Sequence, residues 1–196
     1  APQVMAIVDT ETGRELEDGN VGEIWVHGDN MAAGYLNREE ETKETFRNEL
    51  PESKRLAENS RAYGAPEDNW MRTGDLAVIV DENVFITGRL KDLIITGGRN
   101  VYSAEVENSL AGCPGVAELA IIGRPHPDYG ESIVAVVAPM PGATVSLEAL
   151  RDYGEGRLSH YKLPHELVVR EIPRNLSGKI LKHRLRADLT EPGDPA

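Results

Sequence analysis

A single cysteine, Cys113, stands among 196 residues, so no internal disulfide is possible. It lies in AGCPGV, between Gly112 and Pro114, where a helix should end, and it reads as a small packing residue rather than a nucleophile. Positive charge is also short: 21 Lys and Arg face 33 Asp and Glu, giving a net charge of −12 and a pI near 4.9. That sign is wrong for gripping a nucleic-acid backbone or an anionic membrane. A bound nucleotide would have to be held by a few placed residues. No apolar run is long enough to span a bilayer, which argues against stable membrane insertion. The first residues lack the basic-then-apolar pattern of a signal peptide, and a soluble, cytoplasmic setting is the expectation. The five histidines (His27, His126, His160, His165 and His183) show no metal-ligand spacing, so no metal site built by the protein is expected.

What is present changes character along the chain. Up to about residue 90 the pattern is β-rich. VMAIVD at 4–9 and GEIWVHG at 22–28 are short apolar runs separated by turn-rich sequence. DLAVIVDENVFITGR at 75–89 reads as a hairpin turning at Asp81-Glu82-Asn83. Short strands with little helix between them suggest a small barrel or sandwich. NREEETKETFRNEL at 37–50 has the composition of a short acidic helix, and the polar stretch after it, up to Trp70, is long for a structureless loop. Beyond residue 90, helix and strand alternate. Ser103 is placed to cap AEVENSLAG, and VAELAIIG and SIVAVVAP are apolar strands. Ser146 opens SLEALRDYGEGRLSHY, a helix weakened at Gly154 and Gly156 by about 1 kcal/mol each relative to alanine. ELVVRE is a further strand, and the last helix reads from Ile180 on. The expected class is α+β: a β-rich part at 1–90, a small α+β domain at 91–190, and a disordered tail at 191–196.

Three short stretches carry residues suited to chemistry. In WMRTGDL, Asp75 follows a Thr-Gly turn and either takes two hydrogen bonds from a ribose diol or satisfies nearby backbone N–H groups. In TGRLKDLIITGGRN, Arg89 ends a strand, where a guanidinium fork suits ribose or phosphate oxygens as well as an ordinary ion pair. Gly97-Gly98 in the same stretch allows close approach of a ligand or makes a plain turn. In EIPRNLSGKILKHRL, the turn at Ser177-Gly178 presents Lys179 just before the last helix.

Taken in order, GEIWVHGDNMAAGY, RTGD, GRLKDLIITGGRN, YKLP and NLSGKIL resemble the motifs of the acyl-adenylating enzymes. That family includes acyl-CoA synthetases, fatty acyl-AMP ligases, luciferases and the adenylation domains of peptide synthetases. The resemblance covers nearly the whole chain, from about Val4 to Leu189. It implies activation of a carboxylic acid, here a fatty acid, by ATP and Mg2+ to an acyl-adenylate. The acyl group then passes to a phosphopantetheine thiol, either of an acyl carrier protein or of CoA. It implies that Asp75 binds the ribose hydroxyls, that Arg89 holds the nucleotide from the other side, and that Ile86 lies near base or ribose. Lys179 becomes the catalytic lysine that reaches the α-phosphate and carboxylate. Charge concentrating on the α-phosphate oxygens makes one fixed ammonium effective there. Lys91 falls where the family's small domain turns, and Gly97 and Gly98 would line the pantetheine route.

The resemblance also implies a small β-barrel ending a large domain, followed by a mobile C-terminal α+β domain. The family's phosphate loop and acyl pocket precede these motifs, so a C-terminal piece that does not adenylate efficiently alone is expected. The long segment from Phe46 to Trp70 and the phrasing ITGRLKDLII resemble fatty acyl-AMP ligases, whereas TGGRNVYSAEVE is closer to the CoA ligases. The expectation is an acyl-AMP ligase serving an acyl carrier protein, with a fatty acyl-CoA synthetase as the alternative. A reading of another class is a carrier-protein docking module without chemistry, with KILKHRLR at 179–186 as its basic patch.

Overall fold

The computed structural model describes residues 3–190, and the tail expected at 191–196 lies outside them. The chain divides into two compact units, Ala1–Lys91 and Asp92–Ala196. Among the described residues no helix is long and apolar enough to cross a membrane.

The first unit is built on four antiparallel strands: β1 (Val4–Val8), β2 (Gly22–His27), β3 (Met71–Val80) and β4 (Asn83–Arg89). They lie in the order β1-β2-β3-β4, with β1 paired only to β2 and β4 only to β3. The expected barrel is therefore corrected to an open sheet. Closure would need β1 to pair with β4. Instead, one face of the sheet is covered by the segment between α1 (Glu39–Phe46) and β3. Leu50, Ala62 and Trp70 pack there on Ala6, Val8 and Trp25. The opposite face gathers Ile7, Ile24, Val26, Ala77 and Ile79. Asp81 and Glu82, both at positive φ, make the two-residue turn between β3 and β4, the geometry that matches the twist of a hairpin.

The polar stretch before Trp70 is held by tertiary bonds rather than left loose. Buried Glu15 accepts from the backbone N–H groups of Leu56, Arg61 and Ala62 and from the Ser60 hydroxyl. The Arg55 guanidinium donates to the carbonyls of Leu50, Ala62, Ala65 and Pro66. A single 3-10 turn, Glu52–Lys54, is the only regular helix in the stretch.

The second unit has β5 (Leu93–Thr96), β6 (Arg99–Tyr102), β7 (Val116–His126), β8 (Gly130–Pro139) and β9 (Glu166–Val169). β7 and β8 form a long antiparallel hairpin; β5 and then the parallel strand β9 pair along the other edge of β8. Helices α2 (Ser103–Leu110) and α3 (Leu147–Gly154) cover one face, where Val106, Leu110 and Leu150 meet Ile121, Ile133, Ala135 and Val137. Helix α4 (Lys182–Thr190) covers the other, with Leu185 and Leu189 on Ala120, Ile122, Val134 and Val136. Burial on both faces explains why these strands read as unbroken apolar runs. The α+β class stands.

Three local expectations change. Ser103 does not cap α2: Tyr102 occupies the N-cap, and the Ser103 hydroxyl accepts from the Lys182 ammonium at 2.9 Å. Ser146 does cap α3, accepting from Ala149 N–H. That helix, however, stops at Gly154, and 160–162 form a separate 3-10 turn. The last helix starts at Lys182 rather than Ile180, because Ile180 pairs back with Arg174.

Candidate functional site

In the first unit, the candidate nucleotide residues owe their places to two irregularities of β3. Opposite β2 the register slips: Glu23 pairs with Leu76, but Trp25 pairs with Arg72. Thr73, Gly74 and Asp75 together face the single residue Ile24 and bulge from the ladder. The Thr73 hydroxyl donates to the Ile24 carbonyl and accepts from Asp75 N–H, fixing the turn. Gly74 takes φ +69, a conformation that side chains seldom adopt. On the other edge, Ala77 pairs with Ile86 while Leu76 pairs with Gly88, leaving Thr87 as the extra residue. That bulge sets Arg89 directly opposite Asp75. A regular ladder would have put Gly88 there and turned Arg89 to the other face.

The result is an ion pair, Arg89 Nε to Asp75 Oδ1, of 2.6 Å. The Asp75 side chain keeps 30% of its exposure and Arg89 45%, so acceptors and donors remain open to a ligand. Ile86, on the same strand, is 60% exposed and offers an apolar surface. A carboxylate, a guanidinium and an aliphatic side chain are thus presented to solvent on neighbouring positions of β3 and β4.

Beneath this turn lies Glu23, which sequence reasoning passed over. Its carboxylate is 2% exposed and accepts from Gly74 N–H, from the Trp25 indole N–H and from Arg72 Nε at 2.8 Å. Arg72 closes a salt bridge to the same oxygen. The signal available was an acidic residue inside an otherwise apolar strand, GEIWVH.

In the second unit, Gly97 and Gly98 form a two-residue turn between β5 and β6, both at positive φ and with open space around them. Gly97 N–H donates to the Tyr129 carbonyl, and Ile95 N–H to Glu131, tying this hairpin to the β7–β8 turn. The Tyr129 ring stacks on His126 at 4.6 Å and faces His165 at 5.8 Å. Burial, with Arg151 nearby, holds the His165 imidazole below its usual range, and burial pushes the Tyr102 phenol up. Cys113 is buried and its thiol likewise pushed up, so it has the character of packing.

Lys179 is exposed, and among the described residues its ammonium has no partner. Lys162 and Lys182, in contrast, are paired with Glu105 and Glu107. The loop that carries Lys179 is not slack. Asn175 and Lys179 are bonded through Asn175 N–H to the Lys179 carbonyl at 2.9 Å, and Gly178 N–H returns to the Asn175 carbonyl. Gly178, at φ +82, completes a three-residue hairpin of the type that ends in a left-handed glycine. Lys91 sits in the 3-10 turn Leu90–Asp92, at the last position of the first unit. Among the described residues no three His, Cys, Asp or Glu side chains cluster as a metal site.

Residues 105–179 match the model of the AMP-binding enzyme C-terminal domain. The chain is 40% identical over 173 residues to the long-chain-fatty-acid–CoA ligase FadD13 of Mycobacterium tuberculosis, covering 87% of this chain and 30% of that protein. It is 34% identical over 188 residues to the indoleacetate–CoA ligase of Aromatoleum aromaticum, covering 95% and 33%. Among solved structures, ATP-bound MatB from Rhodopseudomonas palustris superposes with a TM-score of 0.79 at 35% identity, over 97% of this chain and 35% of that one. The chain spans about a third of the length of the curated relatives it matches.

Proposed function

We propose that this chain, which belongs to the AMP-binding enzymes and carries their C-terminal domain, is part of an ATP-dependent carboxylic acid–CoA ligase. The observation that carries this reading is the Asp75–Arg89 pair, brought face to face by the Thr87 bulge and left open to solvent. Asp75 accepts the ribose diol, Arg89 holds the nucleotide from the opposite side, and Ile86 lies against base or ribose. Lys179 supplies a fixed positive charge to the α-phosphate as the carboxylate attacks. Its unpaired ammonium supports that role, because among the described residues no carboxylate pairs with it. Turning about Lys91 then withdraws Lys179 and brings the Gly97-Gly98 turn to the thiol.

The acceptor is CoA. Each curated relative named above is a CoA ligase, and the 46–70 segment that argued for a carrier protein has a structural explanation in the packing of Trp70. A fatty acid is one candidate acid, since the FadD13 relative is named for that class; the indoleacetate relative makes an aryl acid another.

The test uses the complete parent enzyme with Mg-ATP and a panel of long-chain fatty, indoleacetic and hydroxycinnamic acids. CoA and holo-acyl carrier protein are offered separately, and adenylate and thioester are followed by mass spectrometry. Acyl-CoA should form, and Asp75→Ala and Lys179→Ala should abolish adenylate formation. Thioester on the carrier with little acyl-CoA would return the protein to the acyl-AMP ligases. Carrier binding that survives both substitutions, with no adenylate from any acid, would leave a docking module.

A further inference from the structure

We propose that Asn175 is a positioning residue for Lys179, its side-chain oxygen being the fastening that aims the lysine. This rests on Lys179 acting in adenylation, as proposed above. Asn175 Oδ1 accepts from Ser177 N–H at 3.1 Å, from the Ser177 hydroxyl at 2.8 Å and from Lys179 N–H at 2.8 Å. Three donors converging on one atom require an oxygen, which settles the orientation of the carboxamide. The Asn175 main chain adds the reciprocal bond to the Lys179 carbonyl, so this residue grips the lysine's peptide unit on both sides.

The reason for such a grip is not stability. Asn175, Leu176, Ser177, Gly178 and Lys179 are all exposed, and none belongs to a buried cluster. The neighbouring Arg174 steadies the same turn, donating to the Gly178 carbonyl at 2.6 Å and pairing with Glu118 at 3.2 Å. This network orients the one exposed, unpartnered ammonium of the loop. A lysine side chain has four rotatable bonds, so the fixed direction of its Cα is what limits where the ammonium searches. Losing that direction leaves the charge present but its arrival geometry poor, and small misplacements of a catalytic group cost rate steeply.

The experiment is a comparison of half-reactions in the complete parent enzyme. Adenylation is read as ATP–pyrophosphate exchange, using whichever acid of the panel supports it best. Thioester formation is read from preformed acyl-adenylate and CoA. Asn175→Ala should lower the adenylation kcat by about 10- to 100-fold, with KM for ATP nearly unchanged and thioester formation intact. Asn175→Asp keeps the acceptor and should restore most of the rate. An unchanged adenylation rate in Asn175→Ala overturns the proposal. So does an equal loss in both half-reactions, which would mark a merely structural role, or an Asp variant as poor as Ala. Lys179→Ala separates the two ideas. If it adenylates normally, or if no acid supports exchange in the wild type, the reading of Lys179 itself falls. If it is inactive while Asn175→Ala is normal, only the positioning role falls.

Discussion

Replacing Glu23 with alanine tests how the turn of Thr73, Gly74 and Asp75 is held. The substitution strips an acceptor from the Trp25 indole, from Gly74 N–H and from Arg72. Each orphaned donor in a buried setting costs about 1–3 kcal/mol. Arg72 is 36% exposed and regains water, so its share lies at the low end. With the other two at about 1–3 kcal/mol each, the sum is about 3–7 kcal/mol, its lower half matching the range of about 3–5 kcal/mol for breaking a buried ion pair. Glu23→Gln retains the shape but, in its better orientation, turns an amide NH2 toward Gly74 N–H and removes the charge facing Arg72, so it should still cost about 2 kcal/mol. Urea denaturation followed by far-ultraviolet circular dichroism measures both, and Arg72→Met completes a double-mutant cycle. A coupling of about 1–2 kcal/mol is expected for groups in direct contact. A loss below about 0.5 kcal/mol for Glu23→Ala, the size of an ordinary surface substitution, would refute the reasoning. Additive single effects would show that Arg72 and Glu23 do not act as a pair.

Arg55→Ala removes the donor to four main-chain carbonyls and should cost about 2–3 kcal/mol. Limited proteolysis should then cut first between residues 56 and 66. Gly154→Ala sets a helix-propensity gain of about 1 kcal/mol against overpacking of about 1–3 kcal/mol. The new Cβ would stand 2.6 Å from Leu163 Cδ2, so a lower Tm is expected and a higher one would contradict the packing. The depressed pKa of His165 means that the unfolded chain takes up its proton first as the solution is acidified. Its contribution is complete above the ordinary value of about 6.5 and is lost as pH falls toward the lower folded value. His165→Gln should flatten the stability profile in that window. Asp9 and Asp18, whose carboxyls are lowered by Thr12 and Arg61 respectively, act only further down, below about pH 4.

Much of this arrangement is legible in the sequence, and what is hidden has a physical reason. The apolar runs at 4–9, 22–28 and 75–89 are strands because period and composition agree there. The runs at 116–126 and 130–139 show the same for a sheet covered on both faces. The hairpin of Gly97 and Gly98 was open to two readings, and its positive φ values account for the pair of glycines as a turn. Register slips are another matter. The extra residue Thr87 leaves no mark in composition, yet it decides that Arg89 meets Asp75. The 51–69 stretch reads as loose because the residue that orders it, Glu15, lies more than 40 positions away in the chain. Asn175 looks like any turn asparagine until its three donors are seen together. The helix expected to run through Gly154 stops there, and Leu163, lying against that glycine, belongs to a later segment.

Trp25 and Trp70 are the only two tryptophans of the chain, and both pack in the core of the first unit. Intrinsic emission excited at the red edge of the indole band is therefore an optical label for that unit alone. The ellipticity of the backbone, by contrast, sums over both units. If the emission and ellipticity curves coincide in denaturant, the chain melts as one cooperative body. If emission shifts while ellipticity remains, or the reverse, the order in which the two units come apart can be read without attaching any dye.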